Sequence, residues 1–324
     1  MISVIIPLYN KAHTIVNTLN TVLNQTYQNF EIIIVNDGST DNGIEVIKQN
    51  FNDSRIRIIN QSNAGVSAAR NRGIQESHGT WISFLDADDE WMPDYLETVA
   101  QITNNCNDNL IIITGRFHQN LKTKIRSFNI PKKYKDKISE IKFFENPHVF
   151  VHISATTINA AALKKNFKQW GSFIEGQKSN EDFTFLFKVA LHMKTIYIGK
   201  PLSIYNGGVE NQATSTLRKQ KKIDDYILFQ NNVIEEYFNI SSRDIVFERF
   251  MKYQFRHILL QYIKRKDYPT IIYILNHLSI KSSRILITRF EKYIFFQRRY
   301  CIISKSYIYF TKLIWRFHNY PVVK

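Results

Sequence analysis

Short runs of β-branched and other apolar residues recur along the first third of the chain, separated by stretches whose apolar positions lie three or four apart. Ile2 to Ile6 and Phe30 to Val35 read as buried strands; between them His13 to Asn24 carries Ile15, Leu19, Val22 and Leu23 at helical spacing. The unit then repeats. Asp41 to Phe51, with Ile44, Val46, Ile47 and Phe51, predicts a second helix before the strand Arg55 to Ile59. Gly65 to Glu76 is rich in small residues and reads as a third helix, followed by strands at Thr80 to Leu85 and Leu110 to Thr114. Strands alternating with helices of this length build a doubly wound, mostly parallel sheet, so the expected class is α/β with flanking helices.

Ligands of such sheets sit at the carboxyl ends of the strands. The segments that follow the strands are Pro7-Leu8-Tyr9-Asn10, Asn36 to Asp41, Asn63-Ala64-Gly65 and Asp86-Ala87-Asp88. The last is the most distinctive, because an apolar run ends in three carboxylates within four positions: Asp86, Asp88 and Asp89. In an extended backbone Asp86 and Asp88 point the same way and Asp89 the other. Two oxygens on one face suit a hard divalent cation that keeps several waters and shares its shell with a diphosphate. The plainer alternative is a solvated acidic turn with Asp89 or Glu90 starting a helix. Asp37-Gly38-Ser39 reads first as a turn with Asp41 capping the next helix, and second as a binding loop in which Asp37 contacts ligand. Of Arg70 and Arg72, one is expected to face solvent and the other to reach a phosphate. Neither G-x-G-x-x-G nor G-K-[ST] occurs, which argues against a dinucleotide-binding fingerprint and a P-loop.

Length and charge change the picture in the second half. A chain of 324 residues exceeds the usual single domain, so a larger domain over residues 1–210 and a basic, aromatic-rich helical region over 211–324 are expected. From about Asp224 onward apolar residues recur at helical spacing, among them Phe229, Val233, Ile234, Tyr237, Phe255, Ile258, Leu259 and Tyr262. The two cysteines, Cys106 and Cys301, have no metal-ligand spacing, so neither a disulfide framework nor a zinc site is indicated. The N-terminus lacks a basic leader and reads as a first strand. No apolar run approaches the ~20 residues of a spanning helix; Ile302 to Trp315 is interrupted by Lys305 and Lys312. A cytoplasmic chain is expected. Its net charge of +15 is concentrated from Arg243 to Lys324, where 17 Lys and Arg face four acids. Such asymmetry implies a polyanionic partner or a basic solvated face. Phe295 to Tyr300 and Ile314 to His318 interleave aromatics with cations, as on a helix lying on an anionic membrane interface, with core packing as the alternative. No nucleic-acid-binding motif accompanies the charge, and nucleic acid is not the expected partner.

Taken together and in order, Ser3 to Asn10, Asn24 to Tyr27 with Glu31 to Asp41, Asn63 to Gly73, and Leu85 to Asp89 resemble the family 2 glycosyltransferases over about residues 1 to 100. The resemblance implies the GT-A fold, a nucleotide-sugar donor, a divalent metal (Mg or Mn) and inversion at the anomeric carbon. It implies that Pro7, Tyr9 and Asp37 line the nucleotide base, with Asp37 accepting from a ring N–H, and that Arg70 contacts the base or diphosphate. Asp86 would lie near the ribose and metal, and Asp88 would be the direct metal ligand. Weaker similarity continues to about Asn211. Gly171 to Glu175 stands where the family has Gly-Gly-Phe-Asp-Glu, departing at Ser172 and Ile174, and Glu181-Asp182 stands at the family's Glu-Asp. On its own, Glu181-Asp182 before Phe183 to Phe187 is a helix N-terminus with favourable dipole placement. The order of motifs makes Asp182 the candidate general base and Glu181 its rival. Lys200 to Tyr205 resembles the strand that follows this helix in the family. The function implied is inverting transfer of a sugar, from a UDP-sugar in the first instance, to a hydroxyl of a glycan or lipid-linked acceptor. Surface polysaccharide synthesis at the inner face of the cell membrane is the expected setting, and the alternative is a non-catalytic nucleotide-sugar-binding scaffold.

Overall fold

Strand β1 (Ile2–Leu8) lies inside a mixed sheet with every residue buried. It pairs in parallel with β2 (Phe30–Asp37) on one side and β4 (Trp81–Phe84) on the other, so that Val4 lies opposite Ile32 and Ser83. Strand β3 (Ile56–Gln61) extends the parallel half beyond β2. A central strand covered on both faces reads as a near-continuous apolar run instead of alternating, and in Ile2-Ser3-Val4-Ile5-Ile6 the buried Ser3 is satisfied by donating to Glu31 Oε1 at 2.6 Å. The computed structural model describes residues 1–104, 109–120, 126–128, 130–145, 151–208, 217–240, 243–289, 291 and 306. Cys106 and Cys301, and the aromatic-basic stretches Phe295 to Tyr300 and Ile314 to His318, lie outside them.

The chain divides into two units, Met1–Ile141 with Val149–Leu217, and Lys142–His148 with Arg218–Lys324. In the first, the sheet order is β3-β2-β1-β4-β9-β6-β10-β5, with β5 at Glu90–Trp91, β6 at Leu110–Asn120, β9 at Thr156–Asn159 and β10 at Lys194–Gly207. Strands β7 (Arg126–Phe128) and β8 (Ile138–Ile141) pair with β6 and β10. β9 runs antiparallel to both β4 and β6, while β6 and β10 are parallel to each other. The doubly wound half is thus joined to a second half through one reversed strand.

Helices cover both faces. Even-numbered residues of β1 pack with Ile15, Leu19 and Val22 of α1 (Ile15–Leu23) and with Tyr95, Leu96 and Val99 of α4 (Tyr95–Thr103). On the opposite face α3 (Val66–Glu76) lies so close that a Cβ on Gly73 would sit 2.4 Å from Ile5 Cγ2. Helices α2 (Gly43–Asn50), α5 (Ala160–Lys165) and α6 (Glu181–His192) complete this unit. The second unit contains α7 (Lys219–Asn239), α8 (Ile245–Lys264), α9 (Tyr268–His277) and α10 (Ile280–Leu286). Phe229, Val233, Ile234, Tyr237, Phe255 and Leu259 are buried there, so these stripes form core. Among the described residues no helix is long and apolar enough to cross a membrane.

The contact between α3 and β1 sets a test of packing. Gly73→Val should destabilise the protein by about 1–3 kcal/mol, the usual range for overpacking a tight core. In urea unfolding, the loss should be smaller when Ile5 is already alanine.

Candidate active site

Strand β4 stops at Phe84, and the chain bends so that Asp89 N donates to Asp86 O at 3.0 Å. Asp86 and Asp88 are therefore not oriented by strand alternation, as an extended backbone predicts. A turn gives the three acids separate surroundings. Asp86 Oδ1 accepts from Arg70 Nη2 at 2.8 Å, and Asp88 Oδ2 accepts from Lys11 Nζ at 2.6 Å. Asp89 turns inward, where it accepts from Ser154 Oγ at 2.7 Å and Asn206 N at 3.1 Å. Burial, then the charges of Asp86 and Asp88, push its pKa well above the usual carboxylate range, against those hydrogen bonds. Helix α1 carries the turn from one side: Thr14 and Thr18 hydroxyls donate to Ala87 O at 2.8 and 3.0 Å, and Thr18 also donates to Asp89 O. From the β10 side, Asn206 Nδ2 donates to Asp88 O at 2.8 Å.

The small-residue helix α3 delivers Arg70. Its Nη1 stands 2.8 Å from Asp182 Oδ1 and 3.8 Å from Glu181 Oε1, while Nη2 holds Asp86. The side chain is only 2% exposed. Arg72, at 51% exposed and paired with Glu76, is the solvent-facing arginine of the two. Arg70, for which family resemblance implies base or diphosphate contact, here bridges carboxylates from the β4 loop and from α6. Burial raises the Asp182 pKa; Arg70 opposes the rise, Glu181 and Asp86 add to it, and the value reaches about 7. A carboxyl poised there exchanges a proton near neutrality.

Asn71, next to Arg70, holds the loop that leads into α6. Its Oδ1 accepts from Phe173 N at 2.8 Å, and its Nδ2 donates to Phe173 O at 3.0 Å and to Glu175 Oε1 at 3.2 Å. The Phe173 ring stacks on Phe185 at 3.9 Å and lies beneath the Arg70 guanidinium at 5.2 Å. This backbone grip makes no use of the side chains at positions 172 and 174, where the sequence departs from its family pattern. Asn71, Lys11 and Asn206 were not among the expected site residues; only Asn71 gave a signal, as a polar neighbour of Arg70 on a helix of small residues.

The loops after β1 and β2 form the other flank. Asp37, 3% exposed, accepts from Gln61 Nε2 at 2.7 Å, Ala64 N at 2.9 Å and Gly65 N at 2.8 Å. It ties the β2 loop to the start of α3, where Gly65 has φ +93°. Asp41 accepts from Gly43 N at 3.2 Å and from Ala12 N at 2.8 Å, while the cap position of α2 falls to Asn42 and not to Asp41 as expected. Asn10, in the left-handed region, receives Thr40 N on its Oδ1 at 2.8 Å. Pro7 is buried in β1 opposite Val35, and Tyr9 is 48% exposed. Arg70, Asp86 and Asp182 are thus brought into one cluster, with Asp88 across the turn.

The donor set bears on the implied metal. Among the described residues no group of three or more His, Cys, Asp or Glu forms a metal cage. Asp86 and Asp88 each have one oxygen engaged by a cation of the chain, and the Lys11 ammonium already stands at Asp88 as a cation. Two carboxylates that share an ion with diphosphate and water suit Mg or Mn, whereas a closed zinc site needs a fuller set. The residues present fit such an ion.

Known proteins resemble the chain at two scales. It is 46% identical over 99 residues to the uncharacterized glycosyltransferase YibD of Escherichia coli, covering 30% of this chain and 29% of that one. A match to an uncharacterized glycosyltransferase of Rickettsia bellii has the same identity over 96 residues but covers only 14% of that protein. The chain therefore spans less than a third of each of these two relatives. By contrast, the uncharacterized glycosyltransferase RT0329 of Rickettsia typhi is 27% identical over 270 residues, 83% of this chain and 81% of the relative. Among solved structures, S. aureus TarS 1-349 in complex with UDP-GlcNAc matches with a TM-score of 0.74 at 18% identity, covering 94% of this chain and 91% of that one. The shared architecture is the GT-A fold with C-terminal helices. Residues 3–167, half of the chain, match the family model described as Glycosyl transferase family 2, and the chain belongs to that family.

Proposed function

We propose that this chain is an inverting glycosyltransferase that moves a sugar from a nucleotide-diphospho-sugar to a hydroxyl of a glycan or lipid-linked acceptor. The observation that carries this reading is Asp182, bound by Arg70 beside Asp86, with its carboxyl raised to about 7. Inverting transfer needs one base for the acceptor proton and one device to stabilise the leaving diphosphate, whereas glycoside hydrolysis uses two carboxylates flanking the scissile bond. Asp182 takes the proton in this reading, and Arg70 orients it and stabilises its ionised form. Pro7, Tyr9 and Asp37 line the base, with Asp37 shaping that pocket through the backbone of Ala64 and Gly65. Asp88 and Asp86 hold a divalent Mg or Mn ion, which when bound supplies Lewis-acid stabilisation of the diphosphate. Lys11, on Asp88 at 2.6 Å, would add a positive charge beside the same diphosphate.

Support for a UDP-sugar comes from fold alone: TarS, with the same architecture, is known in complex with UDP and with UDP-GlcNAc. A nucleotide-release screen across uridine, guanosine and thymidine diphospho-sugars tests donor and activity together, and release from none of them would leave the scaffold alternative. Surface polysaccharide synthesis at the inner membrane face is the setting we propose, supported by the C-terminal excess of cations.

Five outcomes are expected. Asp182→Asn should keep donor binding and lose roughly 10²–10⁴ in turnover, the usual contribution of a general base. The base must be ionised, so kcat of the wild type should fall as pH drops below about 7, and the variant should lack that limb. Glu181→Gln should be milder; a dead Glu181 variant beside a normal Asp182 variant would transfer the role to Glu181. Asp88→Ala should abolish the enhancement of nucleotide binding by Mg or Mn in calorimetry, and an enhancement equal to wild type would remove Asp88 from the metal site. Finally, the full chain should pellet with anionic but not zwitterionic liposomes, and the association should weaken with salt.

A further inference from the structure

Arg116 stands on β6 just beyond Gly115, half-buried, and its described hydrogen bond is from Nη1 to Val151 O at 3.1 Å. Among the described residues no carboxylate lies within ion-pair distance of it. This sets it apart from the buried arginines Arg70, which holds two carboxylates at 2.8 Å, and Arg256, which holds Glu291 at 2.5 Å. Burial lowers the Arg116 pKa, against weaker pulls from Tyr197, Asp89 and Tyr205. A guanidinium taken from water without a counter-ion is unfavourable, and its planar fork matches phosphate oxygens.

Its surroundings are open on one side and polar. The β6–β10 register sets Ser203 opposite Arg116 and Tyr205 opposite His118. Ser203 is fully buried, and its hydroxyl has no hydrogen-bond partner among the described residues. His118 is exposed, with its ring 5.0 Å from that of Tyr205, and the His152 ring packs edge-on to Tyr205 at 5.4 Å. His152 Nδ1 is likewise buried and unpartnered. Burial, then the charges of Arg116, Arg70 and His118, hold His152 well below the usual imidazole range.

The position of this cluster matters as much as its chemistry. His152 Nε2 is 3.6 Å from Asp89 Oδ2, so the cluster abuts the acidic turn. It does so from the β6–β10 side, whereas the loops assigned to the nucleotide follow β1, β2 and β3 at the far side of β4 in the sheet order. On the reading of the chain as a glycosyltransferase, that is the side left for the acceptor.

We propose that Arg116, with His118 and Tyr205 at the rim and Ser203 behind, binds a phosphate ester carried by the acceptor. The ester belongs either to a polyprenyl phosphate or to a polyol-phosphate chain; the site reads the chemistry common to both, an anionic phosphate beside a hydroxyl-bearing group.

The test uses the full chain saturated with UDP and Mg²⁺, so that the donor diphosphate site is filled. Glycerol 3-phosphate, glycerol, and polyprenyl phosphate in detergent micelles are titrated by calorimetry, with empty micelles as blank. At least one phosphate probe should bind while glycerol does not, and Arg116→Gln should weaken that probe tenfold or more while leaving UDP affinity within twofold. Arg116→Lys keeps charge but not the fork, should lose three- to tenfold, and carries the test if the glutamine variant melts early. Arg116-dependent binding of the micellar probe alone identifies a lipid source, and of glycerol 3-phosphate alone a polymer source; either supports the site. Phosphate binding indifferent to both substitutions, or no binding of any phosphate probe, overturns it. If UDP itself does not bind, the donor reading fails separately, and the same titrations without UDP still decide the role of Arg116.

Discussion

One guanidinium holds the candidate site together. Asp86, Asp182 and Glu181 come from a loop after β4 and from the first turn of α6, more than ninety residues apart in sequence. Without a cation between them their mutual repulsion would spread them or protonate them. Arg70 places one nitrogen on each aspartate at 2.8 Å, which two parallel donors on a rigid plane do and a lysine ammonium does not. Its burial is tolerable because both charges are matched; removing either acid would leave an uncompensated charge in the interior. The supports follow from the same need. Asn71 grips the Phe173 backbone and Phe173 lies under the guanidinium, so the helix that carries Arg70 also fixes the approach to α6.

Three acids of one short run meet three different environments. Asp86 faces a guanidinium, Asp88 an ammonium, and Asp89 a pair of neutral donors beneath the sheet. Asp89 is thus a structural anchor: it joins the turn to Ser154 before β9 and to Asn206 on β10, the two elements that bring the second half of the sheet beside the first. Thr14 and Thr18 hold the same turn from α1. The turn is therefore fixed from three directions, which keeps Asp86 and Asp88 in place even though their own side chains reach toward open space.

How much of this was legible depended on the length of the physical signal. Ile2 to Ile6 and Phe30 to Val35 are strongly apolar and β-branched, and they form β1 and β2; the helical spacing of Ile15, Leu19 and Val22 placed α1. Period-two alternation does not account for Asp86 and Asp88, because it holds only while the backbone is extended and β4 ends at Phe84; a turn is what sends Asp89 inward. Strand β9 escaped notice because Thr-Thr-Ile-Asn is four residues long and mostly polar, and its antiparallel insertion is a property of the whole sheet. Lys11 and Asn206 act on the acidic turn from distant positions in the chain, and nothing in their local sequence announces such contacts. Asp41 was legible only in part: it takes the first helical N–H of α2, but Asn42 occupies the cap position.

The basic end of the chain poses a different problem, since its acids are already in use. Beyond Arg243 there are four acids. Asp244 caps α8 by accepting from Val246 N, and Glu248 takes Arg243 through both oxygens. Asp267 pairs with Lys219 and receives Thr270 N, while Glu291 is buried against Arg256. Each therefore neutralises a local cation or closes a helix end, and none remains to balance the other cations among the 17 Lys and Arg. Lys281 finds Glu235 at 2.5 Å; the excess of cations as a whole adds a summed positive field, which reaches a Debye length of roughly 8–10 Å at ordinary ionic strength. Such a field discriminates poorly between one anion and another yet concentrates anionic surfaces and phosphate-bearing molecules near the protein. Selectivity must then come from a site with fixed geometry, and a planar guanidinium such as that of Arg116, which has no carboxylate partner among the described residues, supplies the geometry that a diffuse field lacks.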